Sequence, residues 1–251
     1  MNPPDPKKGE REYFARIGAA GIAHSTGKPF TDEYCAVNLA NMDALFHLLA
    51  PPPGKLVEFG CGVGWLTLCF AQRGYGVTGV DISPDAIATA CAQRDARGIT
   101  SAEFVVADYE EFSGAGQFDY ALFYDSLHHA EDERAALGCA YNALRDGGML
   151  IAFEPGRGHS TAPSSVHAVK EYGVHEKDMP VDLIIQLARE EGFRRHLVLP
   201  RPHELVRLLY RPGYGRATGQ FDLLARYFLG KLRMIRLMLG GREAPFVLLW
   251  K

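Results

Sequence analysis

The run Leu56-Val57-Glu58-Phe59-Gly60-Cys61-Gly62-Val63-Gly64-Trp65 decides how the rest of this chain is read. A short apolar strand, Leu56 to Phe59, runs into glycines at 60, 62 and 64. Glycine lets the backbone turn tightly there and approach a ligand with no Cβ in the way. Downstream the punctuation is regular. Trp65 to Gln72 reads as a helix closed by Arg73-Gly74, and Val77 to Val80 as a second strand ending at Asp81. Ser83 is an N-cap with Pro84 at the first helical position, opening a helix to about Arg97 that Gly98 stops. Glu103 to Ala107 is a third strand ending at Asp108, and Phe118 to Tyr124 a fourth. Glu131 to Arg145 reads as a helix stopped by Asp146-Gly147-Gly148, and Met149 to Phe153 as a fifth strand entering Glu154-Pro155-Gly156. An amphipathic helix, Val181 to Glu191, precedes two late strands, Phe193 to Leu199 and Pro245 to Trp250.

Strands alternating with helices imply right-handed crossovers and a mostly parallel sheet covered on both faces. The expected fold is therefore α/β, a seven-stranded, mostly parallel, doubly wound sheet. Ligands of such sheets bind at the carboxyl ends of the strands. Glu58, Asp81, Asp108, Asp125 and Glu154 all fall at or just past predicted strand ends, so the acidic groups converge along one edge.

Upstream, residues 1–10 read as a frayed tail, with Pro3, Pro4 and Pro6 opposing a helix. A short helix is expected over Glu10 to Ile17 and a loop over Gly18 to Thr31. Leu39, Met42, Leu45, Phe46 and Leu49 have helical spacing, stopped by Pro51-Pro52-Pro53-Gly54. The expected organisation is a tail and lid over 1–38 and one domain over 39–251. Residues 154–180 lack firm periodicity and read as a long functional loop. Residues 201–242 carry nine basic residues against two acids, Glu204 and Asp222, a net +7 in a chain whose formal charge is −3. Phe221, Leu224, Phe228, Leu232, Ile235 and Leu239 there share one helical face. We read this segment as a helical insertion before the last strand, with burial within the protomer or in a dimer preferred over an anionic membrane.

The motifs in register resemble class I S-adenosylmethionine (SAM)-dependent methyltransferases. Glu58-Phe59-Gly60-Cys61-Gly62-Val63-Gly64 resembles the ExGxGxG cofactor turn; GVDIS (79–83), VVADYEEF (105–112), FDYALFYDSLHHAED (118–132) and LRDGGMLIAFEPG (144–156) resemble the later blocks. The resemblance covers about 54–156. It implies that Asp81 bonds both ribose hydroxyls, a task suited to a carboxylate, and that Asp108 holds the adenine amino group. Cofactor contacts are expected from Glu58, Gly60, Cys61, Gly62, Gly64, Asp81, Ile82, Asp108, Tyr109, Tyr124 and Asp125. Carboxylates at the turn also suit a sulfonium and ammonium cation.

Methyl transfer needs alignment and exclusion of water, and a base where the acceptor is a hydroxyl. His128, His129 and Glu154 are the catalytic candidates, Glu154 at a rim position, with His24, Lys28, His159, His167 and His175 as loop candidates for acceptor contact. No metal is expected: Asp125 has no acidic neighbour, and consecutive histidines should point apart. The expected activity is methylation of a small-molecule acceptor, at oxygen of a sugar or other metabolite. Three other readings compete with this one. A nicotinamide oxidoreductase would need a third glycine where Trp65 stands. Nucleic-acid methylation lacks an NPPY- or PCQ-like motif and meets a negative chain. A non-catalytic SAM-binding module remains open. Nucleic acid and membrane are not expected partners, and a homodimer is open. Five cysteines without a CxxC pair, and an N-terminus without an apolar segment, fit a cytoplasmic protein.

Overall fold

The computed structural model describes residues 5–210, 216–240 and 246–251. Pro3, Pro4, Arg211, Gly241, Arg242 and Pro245, and the side chain of Leu239, lie outside the described residues.

Three helices come first: α1 (Lys8–Arg16), α2 (Gly18–Thr26) and α3 (Cys35–Leu48). The alternating part follows as β1 (Lys55–Phe59), α4 (Trp65–Arg73), β2 (Gly76–Asp81), α5 (Pro84–Ala96), β3 (Ala102–Val106), β4 (Phe118–Tyr124), α6 (Glu133–Ala143) and β5 (Leu144–Phe153). The chain ends with α7 (Pro163–Tyr172), α8 (Val181–Glu190), β6 (Arg195–Leu199), α9 (Pro202–Leu209), α10 (Gln220–Gly240) and β7 (Phe246–Trp250). One seven-stranded sheet has the order β3-β2-β1-β4-β5-β7-β6. β7 runs antiparallel to β5 and β6, and the other pairings are parallel.

Alternation along the strands builds both layers. Val57 and Phe59 of β1 pack with Leu137 and Ala140 of α6 and Ile184 of α8 on one face. Leu56 packs with Leu66 and Phe70 of α4 and Leu45 of α3 on the other. Each fully buried Leu or Phe side chain contributes about 1.5–3 kcal/mol. Local signals end the elements as expected. Ser83 Oγ accepts from the Ala86 amide at 3.4 Å, Pro84 opens α5, and Gly74 closes α4 in the left-handed region.

Four expectations change. Residues 7–10 are not a frayed tail: α1 starts at Lys8, anchored by Lys7 to Asp108 and Glu110. Gly18–Thr26 is helical rather than a loop, because Ala19, Ala20 and Ala23 supply helix propensity between glycines that bound it. The 154–180 segment contains α7, opened by Pro163 and closed by Gly173 at φ 74°. Finally, α10 is not a core helix. Its apolar stripe faces outward, with Phe221 90% and Phe228 60% exposed, and Leu224, Leu232 and Ile235 also exposed.

Candidate active site

β1 and β4 are neighbours in the sheet, and the crossovers leave them in opposite directions, to β2 and to β5. A crevice opens at such a switch point. Here it is a cavity of about 1060 Å³, floored by the ends of β1, β2 and β4 and roofed by residues of α1, of the α2–α3 region and of 155–176.

The glycine turn forms one wall. Gly60 and Gly62 have φ of 71° and 53°, which favours glycine at both positions. A Cβ on Gly60 would lie 2.5 Å from the Ser126 Cβ, and one on Gly62 would lie 3.2 Å from the Phe14 ring of α1. Gly64 lies behind the wall. Its Cβ would meet Phe104 at 2.6 Å and Ala90 at 3.1 Å, so this glycine serves close helix packing and not ligand contact.

Asp81 sits at the end of β2. One carboxylate oxygen accepts from the Gly62 amide at 2.8 Å and the other from the Ser83 amide at 2.9 Å. Each oxygen keeps acceptor capacity for another donor. Burial raises the Asp81 pKa, against the two amides that stabilise its charge. Glu58 is buried beside the turn and accepts from the Thr67 hydroxyl of α4. Burial lifts it to about 8, the Thr67 bonds opposing and the Asp81 charge adding to the rise. Among the described residues, neither acid has an ion pair with lysine or arginine. Burial likewise pushes the Cys61 thiol up, leaving it an inert wall group.

Asp108 reaches the cavity wall, but Lys7 Nζ lies 2.6 Å from one of its oxygens and 2.8 Å from Glu110. Ile82 and Tyr109 line the same side, and the Tyr109 hydroxyl donates to the Ser126 carbonyl at 3.0 Å. Opposite them, Tyr124 stacks on Phe153 at 5.1 Å and meets the Trp65 edge at 5.9 Å. Its hydroxyl donates to Asn38 and accepts from Asn41, tying α3 to the end of β4. Asp125 follows at φ 56°, a left-handed conformation rare outside glycine and often found at functional sites.

Glu154 is not at a rim. It is 2% exposed, and its carboxylate accepts from the amides of Ser126, Leu127 and His128 and from His128 Nδ1 at 2.8 Å. Those bonds commit it to shaping the turn after β4, because a buried carboxylate needs donors on both oxygens. His128, 3% exposed, also sits behind the wall. The turn Leu127–His129 is 3-10, which overturns the expectation that adjacent histidines diverge: their ring centroids are 4.1 Å apart. His129 does line the cavity. Burial would lower its pKa, yet Glu10 of α1 and the charge of Glu176 lift it to about 9.

Of the loop histidines, His24 and His159 line the cavity, as does Lys28, whereas His167 packs near Tyr172 on α7. His175 donates its amide to Glu10 at 2.6 Å. Sequence reasoning missed Lys7, Glu10, Phe14 and Glu176. Their roles come from contacts across the chain, and only the Pro163 and Gly173 bounds of α7 could have flagged the roof.

Residues 57–152 match the family described as Methyltransferase domain. A ubiquinone biosynthesis O-methyltransferase of Xanthomonas axonopodis pv. citri (strain 306) is 26% identical over 118 residues, 46% of this chain and 49% of that protein. The chain thus spans less than half the length of the first curated relatives it matches. Among solved structures, phosphoethanolamine N-methyltransferase 2 of Haemonchus contortus superposes with a TM-score of 0.64 at 18% identity, over 96% of this chain and 59% of that one. Geranyl diphosphate C-methyltransferase of Streptomyces coelicolor A3(2) gives 0.63 at 14% identity, over 100% and 98%. These likenesses share the fold.

Proposed function

We propose that the chain, whose residues 57–152 match the family described as Methyltransferase domain, is a class I methyltransferase that transfers a methyl group from SAM to a hydroxyl of a small-molecule acceptor. One observation carries the cofactor half of this reading. Glu58 and Asp81 lie buried at the glycine turn with raised pKa values and no cationic side chain paired to them among the described residues. A ligand bearing a sulfonium and an ammonium supplies the missing positive charge. The cradle fits it: the Gly60–Gly62 backbone is bare where a Cβ would intrude, and both Asp81 oxygens have room for a hydroxyl donor.

When bound, SAM supplies a methyl carbon already activated by its sulfonium. The chain's part is to bind, align and exclude water. Asp81 and the glycine turn hold the cofactor, and α1 covers it through Phe14. The rings of Trp65, Tyr124 and Phe153 form an apolar wall for the acceptor, while His129 and His159 orient its hydroxyl and Glu176 receives the proton. With SAM bound, this polar wall would hold the acceptor hydroxyl toward the cofactor pocket and take up its proton as the oxygen displaces sulfur from the methyl carbon. His128 and Glu154 act as positioning residues beneath that wall. Residues 1–38 serve as the lid, and the exposed stripe of α10 as the surface for a second copy.

Incubation with methyl-labelled SAM and pools of hydroxylated metabolites tests this. The expected result is label in a small-molecule product, with matching S-adenosylhomocysteine, lost in Asp81→Ala. Label appearing only in nucleic acid or protein would overturn the acceptor class.

A further inference from the structure

The polar end of the cavity holds a feature that methyl transfer does not by itself require. His128, His129 and Glu176 each present one ligand-capable atom, and the three atoms lie within 4.8 Å of one another. Each also has its own support on a second residue. His128 Nδ1 is 2.8 Å from Glu154, His129 Nδ1 is 2.6 Å from the His175 carbonyl, and a Glu176 oxygen is 2.6 Å from His159 Nε2. An acceptor at Nδ1 places a ring proton there and directs the other nitrogen, Nε2, to the opposite side. Carboxylates and carbonyls hold metal-ligating imidazoles in this way, and ligating carboxylates are hydrogen-bonded in turn. His128 Nε2 lies 3.7 Å from Glu176 Oε2, the oxygen that His159 also contacts and that keeps a further lone pair. Around a tetrahedral ion with bonds near 2.1 Å, ligand atoms stand roughly 3.4 Å apart. Closing a set whose atoms lie within 4.8 Å of one another takes a contraction of at most about 1.4 Å.

We propose that His128, His129 and Glu176 form a site for a divalent transition ion, with coordination positions open toward the cavity. Two imidazoles and one carboxylate suit Zn²⁺, Co²⁺, Mn²⁺ or Fe²⁺ better than Mg²⁺ or Ca²⁺, which favour oxygen ligands. His129 and Glu176 line the cavity, so the open positions face the acceptor and can take one of its oxygens. That use rests on the methyltransferase reading, whereas the site itself does not. A second grouping, Asp125 with His128 and Glu154, is weaker, because both Glu154 oxygens already serve the turn.

The full chain, stripped with chelator and dialysed against Co²⁺, is expected to retain a single equivalent and to show visible absorption from nitrogen ligands. Glu176→Gln and His129→Asn should abolish the band. Glu154→Gln, which disturbs only a support, should weaken Co²⁺ binding roughly 10–100-fold. Circular dichroism and S-adenosylhomocysteine titration on the same samples identify any variant that fails to fold. Glu176, whose side chain is 12% exposed against 0% for Glu154, keeps the test usable if Glu154→Gln does not fold. No retained Co²⁺ in the wild type, or unchanged uptake in folded Glu176→Gln and His129→Asn, would overturn the site. Cofactor binding without ion uptake refutes the site alone, and ion uptake without cofactor binding refutes only the methyltransferase reading.

Discussion

Glu58 keeps its proton in the free protein up to about pH 8, because burial disfavours the carboxylate. An unfolded chain releases that proton near the ordinary value of 4.5. Unfolding therefore releases a proton between the two values, and this residue's contribution to stability falls as pH rises through that window. Thermal midpoints measured between about pH 5 and 8 should decline more steeply for the wild type than for Glu58→Gln. Parallel curves would show that Glu58 ionises normally. The cation it awaits reverses the sign for binding, so cofactor affinity should rise with pH over the same interval and lose that dependence in Glu58→Gln. At Asp81 the prediction is simpler. Asp81→Ala removes hydrogen bonds to a charged acceptor and should weaken S-adenosylhomocysteine binding by roughly 1.5–3 kcal/mol. Gly62→Val should be worse, since it adds left-handed strain and contact with Phe14. Calorimetric titration reads both, and wild-type affinity in the two variants would place the cofactor elsewhere.

At the scale of elements, α1 is the part that joins the two halves of the site. Lys7 reaches Asp108, Glu10 reaches His129 and His175, and Phe14 lies over Gly62. If α1 is a lid, Phe14→Ala should speed release of S-adenosylhomocysteine several-fold in stopped-flow experiments with little change in thermal midpoint. An unchanged release rate would make α1 a fixed wall. These contacts also explain what could be read beforehand. The glycine turn and the acids at 58, 81 and 108 were legible because a strand end sets their place, and that place depends only on nearby residues. Glu10 and Lys7 were illegible because their partners lie far along the chain. The end of β5 fixes the place of Glu154, but its expected rim exposure fails. The glutamate faces inward to three amides of the next turn, and no local pattern encodes that. The nearness of the His128 and His129 rings is not legible, since sequence adjacency does not reveal a 3-10 turn.

Over the whole molecule, the seven-stranded, mostly parallel sheet covered on both faces followed from the alternation of strands and helices, while its strand order and the exposure of α10 did not. Its stripe at Phe221, Leu224, Phe228, Leu232 and Ile235 has the spacing of a core helix, and only its position outside the sheet layers shows otherwise. A second copy covering it predicts a dimer in sedimentation that Phe228→Asp dissociates, and a wild-type monomer would contradict this. No helix among the described residues is long and apolar enough to cross a membrane. The central claim is that the crevice at the β1–β4 switch point takes SAM and not a dinucleotide. Side-by-side calorimetric titration of the full chain with S-adenosylhomocysteine and with NAD tests it most directly. Saturable binding of S-adenosylhomocysteine, abolished or strongly weakened in Asp81→Ala, with no heat from NAD, is the predicted result. Saturable NAD binding with no response to S-adenosylhomocysteine would contradict it.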